Sequence, residues 1–104
     1  MAAKVSVFEM PGPVLDASNS GEVKKLIAAA LEESSNLVLD MSALNFVDSS
    51  GLGVILGSLR KANQAGGDIK LCSVTKPVRA LMELVRMHRV VEIHNDREEA
   101  VRSF

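Results

Sequence analysis

Residues 37–74 read LVLDMSALNFVDSSGLGVILGSLRKANQAGGDIKLCSV, and the order of patterns within them decides the fold. Leu37-Val38-Leu39 is an unbroken apolar run between turn residues and Asp40, which suits a strand covered on both faces. Across 51–65, Leu52, Ile55, Leu56, Leu59 and Ala62 recur at helical spacing and fall on one side. Gly66-Gly67-Asp68 stops that helix, as a glycine after the last turn does. Ile69-Lys70-Leu71-Cys72-Ser73-Val74 then alternates as a strand. Strand, helix and strand in that order predict two parallel strands joined by a right-handed crossover.

The pattern continues on both sides. Lys4-Val5-Ser6-Val7-Phe8-Glu9-Met10 alternates polar and apolar residues, and reads as a half-buried strand. Pro11-Gly12-Pro13 punctuates the chain, and Val14-Leu15 forms a short second strand ending at Asp16. These two strands are joined too tightly for a crossover, so an antiparallel pairing is expected. Val23, Leu26, Ile27, Ala30 and Leu31 form one stripe of an amphipathic helix, with Asn19 and Glu22 placed to cap its start and Ser34-Ser35-Asn36 ending it. Thr75-Lys76-Pro77 opens a third helix, with proline in its first turn and Leu81, Leu84 and Val85 as its apolar side. Val90-Val91-Glu92-Ile93 is a further strand, and Asp96 with Glu99 caps a final short helix running to Phe104. The expected class is α/β, a mixed, mostly parallel central sheet of four to five strands flanked by about four helices, in a single domain over 1–104.

The chain has 104 residues, 47% hydrophobic and 24% charged. One domain of this size hides roughly 65% of its extended surface, so its core needs no metal or disulfide staple. The single cysteine, Cys72, excludes an internal disulfide framework. Twelve basic against thirteen acidic residues create no overall field, so nucleic acid is not an expected partner. The three aromatic residues are all Phe and form no base-stacking platform. The start, Met1-Ala2-Ala3-Lys4-Val5, carries no long apolar region, and stretches such as 26–31 are far too short to cross a bilayer. A cytoplasmic location with no membrane partner is the expectation.

The informative segment is Phe46-Val47-Asp48-Ser49-Ser50-Gly51-Leu52-Gly53. Asp48 or Ser49 can cap the helix that follows by accepting from a free backbone N–H. Each helical glycine costs about 0.5–1 kcal/mol relative to alanine, so Gly51 and Gly53 near one end need an offset. Close packing of helix on sheet is one account. A helical wheel gives another, because Gly53, Val54, Gly57 and Lys61 fall away from the apolar stripe. They make a smooth surface with one exposed Val beside a serine at the helix start, the form of a protein-docking site with a modifiable hydroxyl. A phosphate on Ser49 adds about −1.5 to −2 charges where free N–H groups favour them, so it alters the surface without unfolding the domain.

Enzyme motifs are weak. Gly51-Leu52-Gly53-Val54-Ile55-Leu56 breaks the dinucleotide-binding glycine pattern at its third glycine, and no phosphate-binding Gly-Lys-Ser/Thr loop exists. Ser58-Leu59-Arg60-Lys61 fits the serine-nucleophile spacing S-x-x-K, but lies mid-helix without the companion motifs. His88 and His94 have no clustered ligands, Cys72 reads as a small core residue, and Met82 and Met87 read as core filler. Arg79, Arg86 and Arg89 read as a solvated helix face. Neither catalytic residues nor a metal or cofactor is expected.

Leu37-Val38-Leu39-Asp40, the 46–56 segment and Lys61-Ala62-Asn63-Gln64-Ala65-Gly66-Gly67 together resemble the bacterial anti-sigma factor antagonists, the STAS domain, over essentially the whole chain. The resemblance implies the STAS fold and a partner-switching regulator. The unmodified antagonist binds an ATP-binding anti-sigma factor serine kinase and releases its client. Phosphorylation of the serine directly after the motif aspartate, here Ser49, switches binding off, and a serine phosphatase restores it. Ser50 is the nearest competitor for the phosphate. Asp48 and Ser50 match neighbouring motif positions, Asp16 matches the acidic residue after the second strand, and Gly53 and Gly57 fall on the docking helix. The expected partner-binding set is therefore Asp16, Asp48, Ser49, Ser50, Gly51, Gly53, Val54, Gly57 and Lys61, in a chain that is a monomer when free. A non-enzymatic scaffold subunit of a transport assembly is the alternative. The chain departs from the family at Pro13, where a glycine is usual with Gly12 here just before it, and at Arg86-Met87, where Gly-Leu is common.

Overall fold

Leu37, Val38 and Leu39 are fully buried in strand β3 (Asn36–Asp40), between two parallel neighbours. The computed structural model describes residues 4–104, so Met1, Ala2 and Ala3, part of the start expected to carry no secretory signal, lie outside the described residues. On one side of β3 runs β1 (Ser6–Glu9), and on the other β5 (Asp68–Cys72) followed by β6 (Glu92–His94), giving the order β1-β3-β5-β6 with every pairing parallel. Alternation along the strands sorts the side chains. Leu37, Leu39, Ile69 and Leu71 join the main core, whereas Val38 and Cys72 pack with Ala100 in a smaller cluster.

Three helices feed the main core: α1 (Ser20–Glu33) through Val23 and Ile27, α2 (Ser49–Gln64) through Val54, Ile55, Leu59 and Ala62, and α3 (Lys76–Leu84) through Val78 and Met82. The smaller cluster lies under α4 (Arg97–Arg102). Asp96 caps α4 as expected, accepting from the Glu99 N–H at 2.8 Å. Polar anchors hold the same helix to the sheet. The nearly buried Lys70 of β5 donates to the carbonyl and hydroxyl oxygens of Ser103, both at 2.8 Å, and lies 4.4 Å from the Phe104 ring centroid. Arg97 donates to Asp40 at 2.7 Å and to Glu9 at 2.9 Å.

The antiparallel pairing expected between the first two strands does not form. β1 pairs with β3, while β2 (Val14–Leu15) pairs in parallel with β4 (Phe46–Val47) in a separate two-stranded sheet. The intervening 11–13 segment carries the chain away from β1 to meet the loop after β3. Gly12 makes that passage feasible, since a Cβ there would stand 2.0 Å from the Ala43 carbonyl oxygen. The Pro13 carbonyl then accepts from the N–H groups of Asn45 and Phe46. The sequence reading left β4 unassigned because two apolar residues carry no period.

Helices α1 and α3 also differ from expectation. Asn19 stands at the N-cap of α1 without capping it. Its side chain instead accepts from the Asp16 N–H at 2.9 Å and donates to the Val14 carbonyl at 2.8 Å. Leu26 is exposed at the margin of its stripe. In α3 the buried residues are Val78 and Met82, while Leu84 and Val85 project into solvent. The helix ends at Leu84, and two residues later Arg86 takes a left-handed conformation (φ 62°) that turns the chain. A short 3₁₀ turn, Met87–Arg89, follows; Val90, read as strand, is exposed before β6 begins. Among the described residues no helix is long and apolar enough to cross a membrane.

Candidate functional site

The site forms where β4 passes into α2. Asp48 lies in extended conformation at the helix N-cap and uses both carboxylate oxygens. Oδ1 accepts from the Gly51 N–H at 3.0 Å, and Oδ2 accepts from the Ala17 N–H at 3.2 Å. The Asp48 N–H itself donates to the Leu15 carbonyl at 3.2 Å. One residue therefore fixes the start of α2 to the loop leaving β2. Of the two candidate caps, Asp48 does the work, and Ser49 becomes the first helical residue, exposed to solvent. Ser50 is only half-exposed.

Asp16 reaches the same place from β2. Its Oδ1 accepts from the hydroxyl of Ser18 at 2.5 Å and from the Ser18 N–H at 2.9 Å. Those bonds stabilise the charged form and hold its pKa below the ordinary carboxylate value, with slight burial opposing them. Asp16 and Asp48, the residues that follow β2 and β4, are thus brought to the same end of the small sheet by the β2–β4 pairing and the Asp48–Ala17 bond, where α2 begins with the exposed Ser49.

The glycines have opposite explanations. A Cβ on Gly51 would lie 2.6 Å from Val47 Cγ1 and 2.8 Å from the Leu15 carbonyl, so Gly51 lets the helix start directly against the small sheet. A Cβ on Gly53 or Gly57 would meet nothing within 4 Å. No internal packing requires either, and both are exposed. Val54 corrects the wheel reading. It is 7% exposed, and with Gly51, Ile55, Ser58, Leu59 and Ala62 it forms the buried side. α2 packs against α1, β4 and β5 at once, which widens its buried arc to take in Val54, while Leu52 and Leu56 remain half-buried against the same core. The outward strip consists of Ser49, Gly53 and Gly57 without the valine. Lys61 is exposed near the other end of the helix, roughly 18 Å from Ser49 at 1.5 Å per residue. There it lines a groove of about 110 Å³ with Ala28, Leu31 and Glu32 of α1. The structure thus gathers Asp16, Asp48, Ser49, Ser50 and Gly51 at one end of α2 and runs Gly53 and Gly57 outward from it.

Phe46, 54% exposed on β4 two residues before Asp48, opens the informative segment but is absent from the expected partner-binding set. Its signal was the alternation Phe46-Val47, out then in, which is too short to read. Of the remaining candidates, Ser58 is buried mid-helix, Cys72 is fully buried, and Met82 and Met87 belong to the core. His88 is exposed, whereas His94 lies between Glu92 and Glu99, its ring nitrogens 3.2 and 3.1 Å from their carboxylates.

The STAS domain family matches residues 2–100. This chain belongs to the STAS domain family. It is 34% identical over 89 residues to the anti-sigma F factor antagonist of Paenibacillus polymyxa, covering 84% of this chain and 76% of that one. Among solved structures, unphosphorylated SpoIIAA, an anti-sigma factor antagonist, superposes with a TM-score of 0.77 at 23% identity, covering 97% of this chain and 89% of its own. SpoIIAA from Bacillus in its phosphorylated form gives 0.69 at 22%, covering 99% and 94%. A sulfate transporter family protein of Wolinella succinogenes gives 0.81 at 14% identity, covering 95% and 83%. At such identities the structural matches establish the STAS fold alone, and that fold is common to an anti-sigma factor antagonist and a sulfate transporter family protein.

Proposed function

We propose that this STAS domain, a single unit over 1–104, is an anti-sigma factor antagonist whose binding is switched by phosphorylation of Ser49. The supporting observation is an exposed hydroxyl on the first residue of α2, directly beside an outward strip, Gly53 and Gly57, that internal packing does not explain. Sequence identity to an anti-sigma F factor antagonist favours this reading over a transport scaffold. The unmodified form binds an ATP-binding anti-sigma factor serine kinase through Asp16, Asp48, Ser49, Ser50, Gly51, Gly53 and Gly57, and the kinase releases its client. Phosphate on Ser49 then puts about two negative charges at the centre of that contact. Free N–H groups of the first turn tolerate those charges, so the fold persists while the partner's affinity falls. A serine phosphatase resets the cycle, which takes place in the cytoplasm with the free antagonist as a monomer. The domain does no chemistry itself in this scheme.

The test is incubation with the partner kinase and ATP, followed by mass spectrometry and a binding assay. Phosphate on Ser49, loss of binding on modification, and a Ser49→Ala variant that binds without being modified are the expected results. Phosphate wholly on Ser50 or elsewhere rejects the assignment. Co-purification with a transporter and with no kinase supports the scaffold alternative.

A further inference from the structure

The end of α3 presents a second surface, separate from the α2 strip. Leu84 is 80% exposed, Val90 58% and Val85 47%, three aliphatic side chains within seven residues. The segment that bears them, 76–90, carries Lys76 at the far end of α3 and Arg79, Arg86 and Arg89 nearer to them against Glu83 alone, in a chain where acidic residues otherwise predominate. Among the described residues, none of these four cations is within ion-pair distance of a carboxylate. Arg86 adds an independent observation. It is exposed at φ 62°, ψ 28°, a conformation that burdens residues other than glycine by roughly 1–2 kcal/mol, and no carboxylate among the described residues pairs with its guanidinium. Retained strain of this kind points to a role outside the fold.

We infer that Leu84, Val85 and Val90, flanked by Arg86 and Arg89, dock a protein surface in which carboxylates surround an apolar spot. Charge selects the occupant. Planar guanidinium groups pair with carboxylates in a bidentate fork, and arginine with aliphatic neighbours is the composition of a protein contact. A membrane surface fits less well, because the main apolar stripe of α3, Val78 and Met82, is spent on the core and leaves no long inserting face. The position allows simultaneous use of both surfaces. α2 runs from Ser49 toward the edge where β5 starts, and α3 ends at that same edge, where the parallel β6 starts. The two surfaces are therefore at opposite ends of the helix layer.

The test titrates the isotope-labelled full chain with a synthetic helical peptide of leucine and glutamate, and maps amide shifts by NMR. Shifts clustered on 84–90, weakened by salt, and an affinity reduced about tenfold or more in L84S and R89E support the inference. Both substitutions fall on exposed side chains, and preserved spectral dispersion verifies the fold. Absence of shifts, shifts confined to α2, equal binding of a leucine–lysine peptide, or binding only to vesicles containing phosphatidylserine each overturn it.

Discussion

Asp48 and Ala17 are 31 residues apart in sequence, and the carboxylate of the first accepts the backbone N–H of the second at 3.2 Å. That bond, with the cap to Gly51 from the other oxygen, couples the Asp16 loop to the start of α2. Asp48→Ala removes both, and is expected to lower stability by about 1–2 kcal/mol, in the range of a lost N-cap. Asp48→Asn keeps one acceptor oxygen and is expected to lose roughly half as much. Urea unfolding of the three proteins measures the difference, and phosphorylation rates at Ser49 show whether the loop must be held for the kinase.

Gly51 and Gly53 should respond oppositely to the same added methyl. Gly51→Ala drives a Cβ to 2.6 Å from Val47 Cγ1, and is expected to destabilise by about 1–3 kcal/mol through overpacking. Gly53→Ala and Gly57→Ala enter open space and are expected to stabilise by about 0.5–1 kcal/mol each. If the outward strip docks a partner, these two more stable proteins bind it less well. Thermal unfolding together with partner affinity separates the effects. A Gly53→Ala variant that gained stability and kept full affinity would remove Gly53 from the interface.

How much of this was legible in the sequence depended on length of pattern. The strands at 36–40 and 68–72 and the helix between them were readable, because an apolar run and a helical stripe each persisted over enough residues. β4 was not, since Phe46-Val47 carries no period and is defined only by its pairing with β2. The serine at the helix start and the two outward glycines were visible as residues, but Val54 was placed on the wrong side. Its position depends on how many elements pack against α2, which is a tertiary fact. Leu84 and Val85 look like core in one dimension. They are exposed because the helix stops where Arg86 turns, and no local pattern announced the left-handed residue.

Arg86→Gly places at that turn the one residue that adopts positive φ without a Cβ penalty. Stability is expected to rise by roughly 0.5–1 kcal/mol, the relieved strain being partly offset by the freer unfolded chain. A higher melting temperature in calorimetry is the readout, accompanied by weaker binding of the acidic peptide.

Asp40 gives the chain an acid-sensitive link. Burial works to raise its pKa, but the bonds from Arg97 and from the Ser42 N–H outweigh it and hold the carboxyl below its ordinary value of 3.8. A carboxylate with a lowered folded-state pKa contributes stability that is complete above its unfolded value and lost as pH falls through the folded one. Stability should therefore begin to decline below about pH 4–5. Asp40→Asn should be less stable at neutral pH and show a shallower decline in acid, as followed by urea midpoints across that range.

The packing of Gly51 against Leu15 and Val47, with open space beyond Gly53 and Gly57, divides one rod lengthwise into a side that cannot vary and a side that is free to. Duplicated copies of such a gene can diverge along the free side alone, each acquiring its own counterpart while inheriting an unaltered scaffold. If the outward strip docks the proposed partner, a few surface substitutions there suffice to insulate one such pairing from another, and a redesigned pairing needs changes only there.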